Sequence, residues 1–440
     1  MKNYTRRIFF CFLLFIISPV NQIFAAESLS LDLAIQQALE RNFDIIISDM
    51  EVDIAENNNR LGNAGFYPDL DLLINQRNQF VNADNPASFL NGEYRNIGAI
   101  AGAELNWTIF NGFRAHISKS RLSLLEEQSR GFLTVVVENT IQGVIMSYFQ
   151  SWIEKEKMNV LESLTELSKD RLEYVEYQRS VGSASSFDVL QLNNNFIQDS
   201  TNLARQKIIY NRSLRNLKRL IRADEEIDLE LTDEPSVRDE GFERDPLYAM
   251  LLSNNSNIRN QFVQLEIYKK NTSLQRTNRY PRLSMNTGTS YNLNEFKLED
   301  NPSTTGRTFE YYINFGLSFN LFSGGNISRE IQNAKINELI AETSYQEIEE
   351  SVKFEFFNAF DNYEMLNEVT GLLELNKNNT ERLLSLAEDR FNEGSINIFE
   401  YRTIQLDYLN AVVQYYETML DLKSAEVELL RLTGGIIDEN

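Results

Sequence analysis

Cysteine is all but missing from these 440 residues, and histidine, tryptophan and proline are scarce: one Cys, one His, two Trp and seven Pro. Each scarcity removes a class of function. The lone Cys11 lies in a segment with Lys2, Arg6 and Arg7, an apolar run from Ile8 to Ile17, and small residues at Ala25 and Ala26. Residues 1–26 therefore read as a secretory signal peptide, and its removal would leave no disulfide, no thiol nucleophile and no cysteine to carry a lipid. The single His116 has no Cys or second His to complete a metal site, so no metal is expected. Neither Gly324-Gly325 nor Phe110-Asn111-Gly112 has the spacing of a phosphate-binding loop; both read as turn glycines, and no cofactor is expected. With 64 acidic residues, carboxylate pairs occur anywhere and mark no catalytic residue, so the chain does not read as an enzyme. Its formal charge of -22, more negative still without the leader, argues against a nucleic-acid partner. Beyond the leader no run approaches eighteen apolar residues, which excludes a helical membrane span.

The punctuation that is present falls in pairs. Phe110-Asn111-Gly112 returns as Phe322-Ser323-Gly324, Val181-Gly182-Ser183 as Glu393-Gly394-Ser395, and Phe187-Asp188 as Phe399-Glu400, all at an offset of 212 residues. Tyr67-Pro68 returns as Tyr280-Pro281 at 213. The chain is a tandem duplication. The first repeat covers 27–221, with a β-hairpin at 67–110 and a tip turn at 179–188. An acidic linker covers 222–244. The second repeat covers 245–434, with a hairpin at 280–322 and a tip turn at 391–400, and a tail of 435–440 follows.

Within each repeat the order is helix, hairpin, long helix, turn, helix. The opening helix reads as one amphipathic segment from Ser30 to about residue 65, and its counterpart covers about 245–279. The clearest strand is Phe309 to Phe322, where Phe309, Tyr311, Ile313, Phe315, Leu317, Phe319 and Leu321 alternate with polar or small residues. Fourteen residues at ~3.3 Å each, tilted by ~45°, rise ~30 Å, enough to cross the apolar band of an outer membrane. The other return strand is placed at Asn96 to Ile109, after a loop with Pro86 and Gly92. Trp107, Tyr311, Tyr312 and Phe319 are expected near strand ends as interfacial aromatics. Four strands cannot close a barrel, and open edges are not tolerated in lipid, so strands from several chains must combine.

The runs Ala115 to Gln178 and Ile327 to Phe391 contain no proline and are each ~100 Å long as helices. The return helix near 397–433 carries two adjoining apolar stripes, one through Leu406, Leu409, Val413, Tyr416 and Leu420, the other through Tyr401, Tyr408, Ala411, Tyr415 and Leu422. Two seams suit a stave in a cylinder of helices, although a buried helix of a bundle shows the same arc.

The opening LSLDLAIQQALERNFDI, the strand starts FYPDLDL and RYPRLSM, the strand exits WTIFNG and FNLFSGG, and the turns YQRSVGSASSFDVLQL and RFNEGSINIFEYRTIQL together resemble TolC-type outer membrane efflux proteins over essentially the whole mature chain. That resemblance implies a mixed α/β membrane protein made mostly of long helices. Its homotrimer would join four strands per chain into a twelve-stranded transmembrane β-barrel in outer-membrane lipid. An α-helical barrel would continue through the periplasm and dock onto a periplasmic adaptor protein and an inner-membrane pump. The chain would then be the exit duct of an efflux or type I secretion system. A non-transporting coiled-coil scaffold of the envelope is the competing reading, and it leaves the four two-faced strands unexplained.

The resemblance also assigns the tip. Glu400 would face the pore at the closed periplasmic aperture and Asp188 would belong to a latch, with Gly182 and Gly394 making the turns. Phe391 stands where the family has a Tyr, Ile396 where it has a basic residue, and Thr403 where it has a second pore acid. By position alone, Asp188 and Glu400 also suit the first turn of a helix, where the macrodipole favours an anion. Ile313, Phe315, Leu317 and Phe319 are expected to face lipid.

Overall fold

The computed structural model describes residues 27–84, 92–236, 241–298 and 302–437. The expected leader with Cys11, the loop position Pro86 and the last three residues of the tail lie outside those ranges. The first repeat runs β1 (Glu27–Leu29), α1 (Leu31–Arg41), α2 (Phe43–Asn58), β2 (Asp69–Ala83), β3 (Gly92–Phe110), α3 (Arg114–Ser180) and α4 (Ser186–Ile221). A short strand β4 (Leu229–Leu231) follows, and then α5 (Arg244–Asn254), α6 (Ser256–Arg276), β5 (Arg282–Leu298), β6 (Thr304–Ser318), α7 (Asn326–Asn392) and α8 (Ile398–Thr433).

The opening helix of each repeat is broken, which the periodicity did not reveal. Asn42 closes α1 and caps α2: its side chain accepts from the Asp44 N–H at 2.9 Å and donates to the Leu220 carbonyl at 3.2 Å. Asn255 does the same between α5 and α6, accepting from the Ile258 N–H and donating to the Leu432 carbonyl, both at 2.9 Å. Both breaks are thus pinned to the end of the return helix of their own repeat. An asparagine serves because its amide both accepts at the helix start and donates to the free carbonyls of another helix end. The first helical segment accordingly ends at Asn58 rather than near residue 65.

The linker is not a plain loop either. β4 pairs in parallel with β1. The Tyr148 hydroxyl, fully buried on α3, donates to the Leu29 carbonyl at 2.8 Å and accepts from the Thr232 and Asp233 N–H groups at 3.0 Å. Here Leu29, Ala34, Ile141, Val144, Leu217, Ile221 and Leu229 form one core cluster; Leu251, Phe356, Phe360, Leu422, Leu429 and Leu432 form its counterpart in the second repeat. By length and composition α3 contains a stretch apolar enough to cross a membrane, yet Ile141, Val144 and Tyr148 lie in this core.

The four long strands form one antiparallel sheet in the order β2-β3-β5-β6, the two hairpins being joined through β3 and β5. Register places Leu72, Ala103, Thr289 and Tyr311 in one row, with Leu70, Leu105, Thr287 and Ile313 in another. Paired residues of antiparallel strands share a face, so one face carries Leu70, Leu72, Ile74, Ala101, Leu105, Trp107, Tyr291, Phe309, Tyr311, Ile313, Phe315 and Leu317. The other carries Asp71, Glu104, Asn106, Asn286, Glu310 and Asn314. A slip of one residue would exchange these sets.

Strand limits differ from the expectation. β6 covers Thr304–Ser318, starting five residues before Phe309 and ending before Phe319. Its last pair is Ser318 with Arg282, where β5 begins directly after Pro281, which has no N–H for the ladder. Phe319 is therefore beyond the strand, though exposed, and Tyr311 and Tyr312 fall in mid-strand rather than at its end. Tyr312 lies on the polar face, across Gly288, where a Cβ would meet its ring. β3 likewise starts at Gly92, four residues before Asn96.

Candidate functional site

The end of the molecule farthest from the sheet is built by two copies of one turn. α3 stops in a left-handed glycine, Gly182 at φ +83°, with the Ser183 N–H on the Gln178 carbonyl at 2.8 Å. α7 stops at Gly394, φ +74°, with the Ser395 N–H on the Arg390 carbonyl at 2.8 Å. These are glycine-terminated helix ends. A Cβ at either position would meet nothing within 4 Å, so the positive φ alone demands glycine. Each returning helix then opens on a polar cap: Ser185 for α4, Asn397 for α8.

The two acidic positions sit three residues past those caps and are held differently. Asp188 closes a reciprocal capping box, accepting from the Ser185 N–H at 3.0 Å and the Ser185 hydroxyl at 2.7 Å while its own N–H goes to the Ser185 oxygen. These bonds from Ser185 hold its carboxyl below the ordinary aspartate value. In the second repeat the Asn397 side chain accepts from the N–H groups of Phe399 and Glu400, both at 3.0 Å. The Glu400 carboxylate is exposed and, among the described residues, has no hydrogen-bond or ionic partner. Thr403 turns its hydroxyl back onto the Phe399 carbonyl at 3.0 Å. Ile396 is half-buried.

Behind these turns lies a junction that the sequence did not announce. Arg171 on α3 reaches Glu388 at 3.1 Å and Asn392 on α7, with its guanidinium 5.0 Å from the Phe391 ring and 5.5 Å from the Tyr401 ring. Phe391 and Tyr401 stack at 5.2 Å and 28°. A turn deeper, Arg402 on α8 grips Asp199 on α4 with two bonds of 2.6 and 2.7 Å, and Ser168 on α3 donates to the same carboxylate. Both partners are mostly buried, with side-chain exposures of 16% for Arg402 and 6% for Asp199. At the tip itself the rings of Phe187 and Phe399 face each other at 6.3 Å. The junction thus ties the hairpin of α3 and α4 to that of α7 and α8. Its one trace in the sequence is an acid standing seven residues after Leu192, on the buried stripe that starts at Val189.

No metal-ligand cluster occurs among the described residues, and His116 packs its ring edge-on against Phe66 at 4.8 Å. At the opposite end, Ile313, Phe315 and Leu317 are exposed on the apolar face of β6, while β2 and β6 have no strand partner on their outer edges among the described residues.

Residues 34–221 and 247–435 each match the description "outer membrane efflux protein". The chain belongs to the outer membrane efflux protein family. No curated protein sequence matches it. Solved structures share its fold at low identity. The CmeC outer membrane channel of Campylobacter jejuni superposes with a TM-score of 0.76 at 17% identity, over 92% of this chain and 85% of that one. The outer membrane protein VceC of Vibrio cholerae gives 0.73 at 14%, over 92% and 96%. The open state of the MtrE outer membrane channel of Neisseria gonorrhoeae gives 0.68 at 15%, over 92% and 89%. As an outer membrane efflux protein, the chain is an outer-membrane channel with its sheet in the membrane and its long helices extending into the periplasm.

Proposed function

We propose that three copies of this chain close a twelve-stranded barrel and a coaxial cylinder of helices, and that the assembly is the passive exit duct of a tripartite efflux pump or type I secretion system. The observation that carries this reading is the sheet: four strands with one apolar face and two outer edges that have no strand partner among the described residues. In lipid such edges are satisfied only by closure, and channels of this family are trimeric. Uncovered apolar residues on the helices agree, among them Phe43, Ile47, Met50 and Ile54 on α2 and Leu372, Leu375, Leu383 and Leu386 on α7. A second copy would cover them. A periplasmic adaptor and an inner-membrane pump would engage the helical end.

In the trimer Glu400 would form an acidic ring at the periplasmic mouth, and Asp188 would brace closure. Carboxylates crowded around a narrow axis attract cations and repel anions. What supports the division of roles is that the Asp188 carboxylate is engaged by its own cap, whereas that of Glu400 is free to face a passage. Planar-bilayer recording of Glu400→Gln tests it: the cation-to-anion permeability ratio is expected to fall while the barrel still forms. An unchanged ratio, with Asp188→Asn changing it instead, would show that the roles belong to the opposite repeats.

A further inference from the structure

The outward face of the sheet changes character abruptly near the hairpin loops. From Leu317 up to Phe309, and across the paired stretches of β2, β3 and β5, this face has no charged residue. One row above Phe309 and Tyr291 stands Arg307, paired with Leu293; three rows above, Arg95 and Lys297 are directly paired across β3 and β5. At ~3.3 Å per residue and ~45° tilt, these cations lie ~5 to ~14 Å beyond the last aromatic row. That is the depth of lipid headgroups, which long basic side chains also reach by bending back toward the membrane.

Charge and geometry both point outward there. Lys297 and Arg307 are exposed and make no ion pair among the described residues. Arg95 spends one nitrogen on Glu295 at 3.0 Å, and its buried Nε has no partner among the described residues. Phe80, Asn82, Glu93, Arg95 and Lys297 border one cleft, with Phe80 directly across from Arg95 in the strand register. Glu93 and Glu295 share this face, so among the paired strand residues the three cations outnumber the acids by one, in a chain whose net charge is -22. The opposite border of the band, at Leu317, Leu283 and Trp107, has an indole but no cation on the outward face. The asymmetry fits a membrane whose two leaflets differ in charge.

We propose that Arg95, Lys297 and Arg307 form a binding site for the phosphate groups of the anionic glycolipid in the outer leaflet, once per protomer. Guanidinium groups suit phosphate because their planar donors can bind two oxygens together, and the ammonium adds a mobile third contact. The site fixes the height of the barrel in the membrane and seals its lipid-facing rim.

The inference rests on the barrel reading above, and conductance separates the two. The full chain is reconstituted into phosphatidylcholine vesicles with or without diphosphoryl lipid A, and lipid A retained by the repurified protein is measured. Conductance is recorded in parallel, with inorganic phosphate as a competitor. The parent is expected to retain lipid A in the presence of free phosphate. The variant R95Q/K297Q/R307Q should retain it roughly 100-fold more weakly, from ~1 kcal/mol per cation near the surface and a tenfold change per ~1.4 kcal/mol. Conductance should be unchanged. Equal retention by a conducting triple variant overturns the site, as does displacement by inorganic phosphate alone. If the triple variant does not conduct, the single R307Q, at an exposed position without an ion pair, decides between the same outcomes.

Discussion

The junction of Asp199 and Arg402 should be the most sensitive point of the helical tip. The two bonds between them are 2.6 and 2.7 Å, and the side chains are 6% and 16% exposed. Removing one member leaves the other charge where water reaches it poorly. Among the described residues, after Asp199→Ala the guanidinium retains only Gln405, at 3.4 Å, and after Arg402→Leu the carboxylate retains only the Ser168 hydroxyl. Breaking a buried pair in this way costs ~3 to 5 kcal/mol, and the residual exposure of Arg402 favours the lower end. A loss of ~3 kcal/mol in local opening corresponds to amide exchange on the order of 100-fold faster, since each ~1.4 kcal/mol is tenfold. Exchange should be followed on α4 and α8 near the two residues, with the sheet as an internal control. The double variant Asp199→Leu/Arg402→Leu removes both charges and should recover most of the loss, because apolar replacement of a buried pair is often neutral. Single variants with exchange like the parent would refute the reasoning. So would a double variant as damaged as the two singles added together, since coupled partners should not be additive.

Three other outcomes follow from the same geometry. Leu317→Arg, on the apolar face that the proposed barrel turns to lipid, should cost ~2 to 4 kcal/mol and lower outer-membrane yield, whereas Asn314→Arg on the polar face should be tolerated; the reverse ranking would mean that the faces are inverted. Glu138 is buried on α3, where among the described residues only the Ser256 hydroxyl, at 2.6 Å, donates to it, and burial raises its pKa above the ordinary glutamate value. A raised carboxyl pKa opposes folding at neutral pH and ceases to do so as pH falls through the folded value, so Glu138→Gln should raise thermal stability at pH 7 and lose that advantage in acid. Asp188 has the opposite sign. Its lowered pKa contributes stability above the unfolded aspartate value of ~3.9, and that contribution is lost as pH falls through the still lower folded value. Tip proteolysis should therefore be unaffected by mild acid in the parent and faster at pH 7 in Ser185→Ala, which removes the cap at a cost of ~1 kcal/mol.

Legibility in the sequence followed the range of the interaction. Alternation along Phe309 to Leu317 is a local signal, and so are the glycines that end α3 and α7. Strand limits are not local: β6 stops at Ser318 because Pro281 precedes its partner Arg282. The breaks at Asn42 and Asn255 escaped for a similar reason. Apolar spacing continues through them, with Ile35 and Ala38 before Asn42 and Ile45 and Val52 after it all buried. Only the carbonyls of Leu220 and Leu432, more than 170 residues away in each case, give each asparagine its second partner. The pairing of Asp199 with Arg402 spans 203 residues, and neither side chain has a counterpart that duplication would flag.

The duplication itself explains why two acids at one repeat position can serve different ends. Serine and asparagine both cap a helix by accepting from its first N–H groups, but the serine hydroxyl accepts and donates through one atom, whereas the asparagine amide donates through its nitrogen, away from the capping oxygen. In the first repeat that hydroxyl and the Ser185 N–H hold the Asp188 carboxylate against the backbone. In the second repeat Asn397 uses its oxygen for two N–H groups, and Glu400 has one more methylene than aspartate. That extra length lets its carboxylate reach farther from the backbone than that of an aspartate, and it is exposed. Two changes, of the cap and of the acid's length, thus separate the two tips without altering the glycine turn. On the function proposed above, this difference between the caps lets one tip keep its acid for structure while the other offers its acid to the passage.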